Sequence, residues 1–142
     1  MLEVEHAVSE VSSALQMELR VAGTSTHGCS HTIHQLIDPE GTKYILRIPN
    51  DEFAALLDKQ GHKILIFLSK IRPSLLIPKL ILKAPSYSLH KYLEGEPIKS
   101  WNLDTISETR RHALLDGIAE FLVCLWTCPT PQDGKVYDAR LL

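Results

Sequence analysis

The hydrophobic period of the chain changes at Pro49, and this change constrains the fold more than any other feature of the sequence. Before it, His31–Ile37 and Lys43–Ile48 are rich in β-branched and apolar residues and are separated by a turn, which predicts a β-hairpin. After it, apolar residues recur every three or four positions as far as Ile71, which predicts one helix, or two with a break at Gly61. The chain therefore combines an antiparallel sheet with helices.

The flanking segments complete this α+β pattern. Residues 3–20 have apolar positions at helical spacing, followed by a candidate strand at Leu15–Val21 and a turn-rich patch at Ala22–Ser30. Leu76–Leu82 and Ser86–Leu93 predict two further short strands. We therefore expect a five-stranded antiparallel sheet with a packed helix.

A last helix is predicted beyond the sheet. Thr105 and Glu108 have the S/T-x-x-E spacing of a capping box, and Pro129 and Pro131 end the helix. One apolar stripe runs along it, at positions Leu114, Ile118, Phe121, Leu122 and Leu125. We expect a sheet-bearing lobe over residues 1–100, and a linker with the first helix of an incomplete second lobe over residues 101–142.

Composition and charge exclude several classes of protein. A chain of 142 residues with a formal net charge of −2 and a pI near 6.4 lacks the Lys/Arg excess of a dedicated nucleic-acid binder. The longest apolar runs, Ile64–Leu68 and Phe121–Trp126, are far shorter than the roughly 20 residues of a membrane span. Because the first residues are acidic rather than basic and apolar, we expect no signal peptide and a cytoplasmic location. The three cysteines lack CxxC spacing and are expected to be reduced thiols.

The patch at Ala22–Ser30 and the strand after it suggest a phosphate site. Kinase-like folds lay the backbone N–H groups of a Gly-rich turn over nucleotide phosphates, since glycine lets the backbone approach closely. Gly23, Gly28 and Ser30 are the candidates, although an ordinary hairpin turn explains them equally, because neither GxGxxG nor GxxxxGK(S/T) is present. Arg47 supplies a cation of the kind that the phosphates of ATP require, and a solvent-facing position is its alternative.

Five segments in this order resemble one family. The chain is similar to the N-terminal lobe of the aminoglycoside/choline phosphotransferases, the protein-kinase-like small-molecule kinases. The segments resemble the family's phosphate loop, the strand bearing its cation, the i-P-x-P-x-v segment, the hinge and the following helix, and they are His27–His34, Gly41–Pro49, Leu76–Leu80, Tyr87–Pro97 and Leu115–Pro131. The resemblance implies a kinase-like fold that binds ATP.

The resemblance also implies roles for individual residues. Gly28 and Ser30 correspond to the phosphate loop, and Arg47 to the cation against the phosphates. The hinge that holds the adenine edge corresponds to His90, Lys91, Tyr92 and Leu93. By position, Leu46 and Ile81 are expected to contribute to the adenine slot.

The sequence departs from the family pattern in three places, and the first is His31, which replaces the family's usual Asn. The family's helix carboxylate, which pairs with the strand cation, corresponds in register to Gly61 or His62, and Asp58 or Glu52 replaces it only if the helix is shifted. The catalytic-loop motif H-x-D-x-x-x-x-N does not occur, so we assign no catalytic residue, and Mg²⁺ binding would need residues that this sequence lacks. We therefore expect an isolated lobe without phosphoryl-transfer activity of its own, either a truncated gene product or half of a split protein.

Two functional alternatives remain beside a nucleotide-binding lobe. One is a non-catalytic interaction module or degenerate fragment with the same fold, and the other is an unrelated α+β domain. In either kinase-like case the 114–125 stripe is expected to be covered by self-association or by a partner resembling the missing lobe.

Two further constellations carry simpler explanations. His27, Cys29, His31 and His34 contain metal-binding residue types, but strand alternation turns His31 and His34 to opposite faces, so we assign no metal site. Cys124 and Cys128 lie near the C-terminal end of the last helix, where the dipole raises a thiol pKa, and are expected to be buried and structural.

Overall fold

A five-stranded antiparallel sheet with three helices forms the fold. The computed structural model describes residues 2–96, 98, 101–102 and 104–129. The elements are α1 (Leu2–Leu15), β1 (Arg20–His27), β2 (His31–Ile37), β3 (Lys43–Pro49), α2 (Glu52–Ile71), β4 (Leu80–Lys83), β5 (Ser88–Lys91) and α3 (Glu108–Trp126). The strands are ordered β1-β2-β3-β5-β4, and every neighbouring pair is antiparallel. The predicted α+β class is confirmed, including the helix between the third and fourth strands.

The described residues form two compact units. The first contains the sheet, α1 and most of α2, and is built from residues up to Ile66 together with Pro78–Leu93. The second contains Phe67–Ile77 and the residues from Glu94 onward, including α3. The predicted boundary at residue 100 stays a prediction.

The β2–β3 hairpin forms where it was predicted, and Asp38 explains why its turn closes. The carboxylate accepts hydrogen bonds from the backbone N–H groups of Glu40 and Thr42 at 3.0 and 2.8 Å, as in an Asx turn, and from the Tyr44 hydroxyl at 3.2 Å. Burial alone would raise the pKa of Asp38, but these hydrogen bonds to the charged form outweigh it and lower the pKa below its ordinary value.

The first strand differs from its prediction. β1 begins at Arg20 rather than Leu15 and continues to His27, so much of the patch predicted as a turn is strand, and only residues 28–30 connect β1 to β2. The ladder register shifts between Ala22 and Thr26, and Gly23 within this bulge has φ of +76°. Glycine marks a bulge in an edge strand here, because it adopts positive φ without a steric penalty.

The second helix is continuous, so the break predicted at Gly61 is wrong. α2 begins after Asp51, whose Oδ1 accepts a hydrogen bond from the Ala54 N–H at 2.7 Å and caps the helix. A single glycine costs a helix only about 1 kcal/mol. The capped start and the burial of Ala54 and His62 outweigh that cost.

β4 and β5 are shorter than predicted. β4 occupies Leu80–Lys83 rather than beginning at Leu76, and β5 is limited to Ser88–Lys91. Pro78 has no N–H to donate to a ladder, which prevents an earlier start of β4. Leu75 and Ile77 are nevertheless buried, so the apolar run before Pro78 packs without forming a strand.

The main core lies between α1 and one face of the sheet. It contains Ala7, Val11, Leu19, Leu36, Leu46, Tyr87 and Leu89. Leu46 at the centre of β3 is fully buried, which contradicts its predicted place in an adenine slot, because strand alternation turns it away from the face that bears Arg47. Ile81, the other predicted slot residue, is 39% exposed.

The last helix is present but differs at its cap and in its burial. The N-cap is Ser107, whose hydroxyl accepts from the Arg110 N–H at 3.3 Å, while Thr105 donates to Asn102 instead. No residue of α3 is buried. Cys124 is accordingly exposed and Cys128 half-buried, so their predicted burial is wrong. Pro131, which was predicted to end the helix, lies outside the described residues.

None of the described helices is long and apolar enough to span a bilayer.

Candidate functional site

Arg47 is anchored on one side by the long helix. Alternation along β3 turns Arg47 and Ile45 to the face opposite Leu46. The Arg47 Nη2 atom lies 3.7 Å from Asp58 Oδ1 on α2. The arginine side chain is 35% exposed, whereas the aspartate is only 15% exposed. The cation is therefore held by a half-buried carboxylate and still presents part of its guanidinium to solvent.

His31 at the start of β2 completes a triad with Arg47 and Asp58. Its Nε2 atom lies 2.8 Å from Asp58 Oδ2, and its Nδ1 atom lies 3.2 Å from Arg47 Nη2. The same Arg47 nitrogen lies 3.3 Å from His31 Nε2, so it contacts both nitrogens of the ring. These contacts connect β2, β3 and α2 in one network.

The helix carboxylate opposite the cation is Asp58, which the sequence allowed only as an alternative that required a shifted helix. The register inferred from the sequence placed Gly61 or His62 opposite the cation, which is about one turn too late. The helix start explains the error: Asp51 caps α2 directly after β3, and this start brings Asp58 to Arg47. Asp58 follows the end of β3 by only nine residues, but the hydrophobic periodicity of α2 does not distinguish Asp58 from the other acidic residue of the helix, Glu52.

The turn between β1 and β2 is tied to the end of β3 by Asn50. The Asn50 side-chain N–H donates to the carbonyl oxygens of Gly28 and Cys29 at 2.9 and 3.2 Å, and its backbone N–H donates to Ser30 O at 2.9 Å. Its Oδ1 accepts from the Thr32 hydroxyl at 3.0 Å. The Gly28 N–H donates to His31 O at 2.9 Å and closes the hairpin. Asn50 had no signal in the sequence, since nothing there relates it to a turn some 20 residues earlier.

Two buried histidines lie beside the triad. The rings of His62 on α2 and His90 on β5 are 5.8 Å apart, and His90 Nε2 is 3.0 Å from the buried Ser88 hydroxyl. Burial, then the charge of Arg47 and the neighbouring His62, lowers the pKa of His90 to about 4. Burial also lowers the pKa of His62, against the opposing effect of Asp58. Both rings are therefore neutral near pH 7 and add no charge beside Arg47.

The predicted hinge residues lie at the other end of β3 from the turn. His90 lies within β5 and pairs with Ile45, while the Lys91 N–H donates to Lys79 O at 2.8 Å. Tyr92 follows the strand, and the Lys43 ammonium lies over its ring, 5.3 Å from the ring centroid, in a cation–π contact. Leu93 is 44% exposed.

β3 relates these segments to one another. Pro49 at its end pairs with His31 next to the turn, and Tyr44 near its start pairs with Lys91, so about 16 Å of strand separates the two groups. Arg47 lies between them, opposite Ser88. The turn, Arg47 and the predicted hinge residues therefore follow one another along the length of β3 and do not surround a single point. This arrangement fits an elongated ligand.

The histidines near the turn have hydrogen-bonding partners of their own. His27 Nδ1 lies 3.2 Å from the Thr32 hydroxyl, and His34 Nδ1 lies 2.6 Å from the Ser25 hydroxyl. Within the described ranges, no three His, Cys, Asp or Glu side chains are arranged to hold a metal ion.

Comparison with known proteins gives a match at the level of structure. No family model matches the chain, and neither does any curated protein. The gentamicin complex of APH(2")-IIa superposes with a TM-score of 0.75 at 20% identity over 96% of this chain. The ADP-bound aminoglycoside phosphotransferase APH(2")-Ib gives 0.70 at 20% identity over 94%, and a type I macrolide 2'-phosphotransferase gives 0.50 at 16% identity over 72%.

These matches show the fold. The chain has the fold of part of an aminoglycoside phosphotransferase, and the predicted resemblance to the N-terminal lobe is confirmed at this level. It spans less than half the length of these proteins, covering 44% of APH(2")-IIa and 43% of APH(2")-Ib.

Proposed function

We propose that this chain is a nucleotide-binding lobe that holds ATP along β3. Arg47 binds the phosphates, the exposed tip formed by Cys29 and Ser30 covers them, and the base lies toward Lys91–Leu93. The Gly28 N–H is already used within the hairpin, so the backbone groups that meet phosphate are those of the tip. Two similar solved proteins contain bound ADP or ATP. They support the binding of an adenine nucleotide, whereas the orientation along β3 is argued from the residues of this chain.

The triad of Arg47, Asp58 and His31 is the observation that carries the proposal. Asp58 and His31 orient the guanidinium, and its Nε atom is buried without a hydrogen-bond partner among the described residues. A fixed and partly exposed guanidinium fits a phosphate, which binds arginine through charge-assisted hydrogen bonds. The lobe would neutralise phosphate charge and fix the nucleotide in one orientation.

The catalytic-loop motif H-x-D-x-x-x-x-N, which supplies the base in kinase-like enzymes, does not occur in this sequence. A base must accept the proton of the attacking hydroxyl, and carboxylate or amide oxygens must hold Mg²⁺ at the phosphates. Asp58, the carboxylate nearest Arg47, is already paired with Arg47 and His31. We therefore propose that the chain alone binds nucleotide without transferring phosphate, and that a second polypeptide segment supplies the base and the metal ligands.

Titration with Mg²⁺-ATP tests this function by thermal unfolding. A ligand bound only by the folded state at ten times its Kd adds about 1.4 kcal/mol, so we expect the Tm to rise by roughly 3–6 °C. Arg47→Ala is expected to abolish this rise. Arg20→Ala removes an exposed cation from the edge strand and should leave the rise unchanged. No rise at millimolar ATP in the wild type would exclude nucleotide binding and favour an interaction module with a kinase-like fold.

The apolar face of α3 favours a binding partner as well. Leu115, Ile118, Val123 and Trp126 are 51%, 49%, 55% and 75% exposed. Since the solved proteins of this fold are more than twice as long as this chain, we propose that a polypeptide resembling their remaining lobe covers α3.

Without that partner, we expect the purified chain to self-associate. Two copies that pack their α3 helices together would remove the same apolar side chains from water. Sedimentation velocity should therefore show concentration-dependent dimers or larger species at tens of micromolar. Ile118→Glu should shift the chain to a monomer, whereas Glu120→Lys on the same helix should not. A monodisperse wild-type monomer that binds no apolar dye would contradict this proposal.

A further inference from the structure

A groove that is lined by Asp58 but not by Arg47 lies between α2 and the turn that connects β4 to β5. Its volume is about 570 Å³, within the range of roughly 300–1,000 Å³ that holds small organic ligands. Its walls are mainly apolar, with Ala55 and Leu56 on the helix side and Pro85 and Tyr87 on the turn side. A groove of this size and lining fits a compact apolar group such as a fused aromatic ring.

Lysines stand on both walls of this groove. Lys59 belongs to α2 and Lys83 to β4, and both side chains are exposed. Neither has an ion-pair or hydrogen-bond partner in the part of the chain that the structure describes. Two unpaired cations that face one apolar space favour an occupant with a negative charge.

The acidic residues of the groove do not cancel these lysines. Asp58 lines the groove but is already paired with Arg47 and His31. His62, the other titratable group deep in the groove, is kept neutral at pH 7 because burial lowers its pKa. Glu52 lies at the exposed start of α2. The groove therefore presents two free positive charges against one free negative charge.

We propose that this groove is a second ligand site, which binds a small amphipathic anion with an aromatic or branched apolar body and one carboxylate. The apolar body packs between Leu56 and Tyr87, and the carboxylate lies between Lys59 and Lys83. The site depends on neither nucleotide nor Arg47, so it stands or fails independently of the ATP proposal.

Isothermal titration with 2-naphthylacetate, in the absence of nucleotide, tests the site. The uncharged 2-naphthylacetamide has the same apolar body and should bind at least fivefold more weakly to the wild type. The double variant Lys59→Gln/Lys83→Gln should lose roughly five- to tenfold in affinity for the anion, as expected for two partly exposed charge pairs. Lys63→Gln, on an exposed position of α2 outside the groove, is the matched control and should bind like the wild type.

A second variant and a spectroscopic readout locate the binding. Ala55→Trp fills the groove with a side chain and should abolish binding, and the far-ultraviolet circular dichroism of the variant checks that it folds. In the wild type, the anion should shift the imidazole proton resonances of His62, assigned with His62→Gln. Equal affinities of the acid and the amide, unchanged binding by the double variant, or an unshifted His62 would each overturn the proposal.

Discussion

Leu46→Ala is expected to lower the free energy of unfolding by about 3–4 kcal/mol, the largest effect of any single truncation proposed for this chain. Leu46 is fully buried at the centre of β3 and packs in the cluster that joins the sheet to α1. Truncation removes buried methyl groups and leaves a cavity between Val11 and Leu89, which a rigid sheet can fill only in part. Urea denaturation followed by circular dichroism measures the loss.

Leu57→Ala is the matched control for this truncation. Leu57 is on α2 and is 43% exposed, so the same chemical change should cost less than about 1 kcal/mol. If both variants lost the same stability, the core would not lie between α1 and the sheet.

Acidification is expected to destabilise the fold before its carboxylates protonate. Burial, with Arg47 and His62, lowers the pKa of His90 from 6.5 to about 4, so the unfolded chain binds a proton on this residue at a pH where the folded chain does not. Above pH 6.5 both states are neutral and His90 does not affect the pH dependence. Between pH 6.5 and pH 4, about 3 kcal/mol of stability is lost, and below pH 4 the loss from His90 is complete.

Denaturation at a series of pH values measures this loss. His62 and His34 have pKa values lowered in the same direction, chiefly by burial, and add to the slope. His90→Gln should reduce the slope by up to about 1.4 kcal/mol per pH unit inside the window. Thr24→Ser, at an exposed position of β1 that carries no titratable group, should leave the slope unchanged. An unchanged slope in His90→Gln would mean that His90 is not buried as a neutral ring.

The elements that the sequence predicted best are those whose pattern and boundary residues agree. β2 and β3 combine apolar strand residues with the turn chemistry of Asp38, and they form where expected. β1 was misplaced because Gly23 and its polar neighbours indicate a turn, whereas the ladder with β2 pulls them into an edge strand. The ladder is a non-local interaction, so local propensity gave the wrong answer.

The candidate site was predictable in its strand but not in its helix. Arg47 follows from alternation on a well-defined strand, and its position stands out because a cation interrupts an apolar run. The pairing of Asp58 with Arg47 depends on where α2 begins and on how it packs, so the sequence allowed Asp58 only as an alternative to Gly61 or His62, about one helical turn later. Asn50 and His31 act through contacts across the sheet, which no spacing in the sequence encodes.

The hydrogen bonds of Asn50 restrict the conformations of the β1–β2 turn before any ligand binds. Mobile loops that order on binding spend about 0.5–1.5 kcal/mol for each side chain that they immobilise. Here the tip at Cys29 and Ser30 is fixed to the end of β3 by three hydrogen bonds from one asparagine. Because Arg47 is on that same strand, these bonds fix the tip relative to the cation before a ligand arrives, so the phosphate binding proposed above would cost less entropy for ordering the loop.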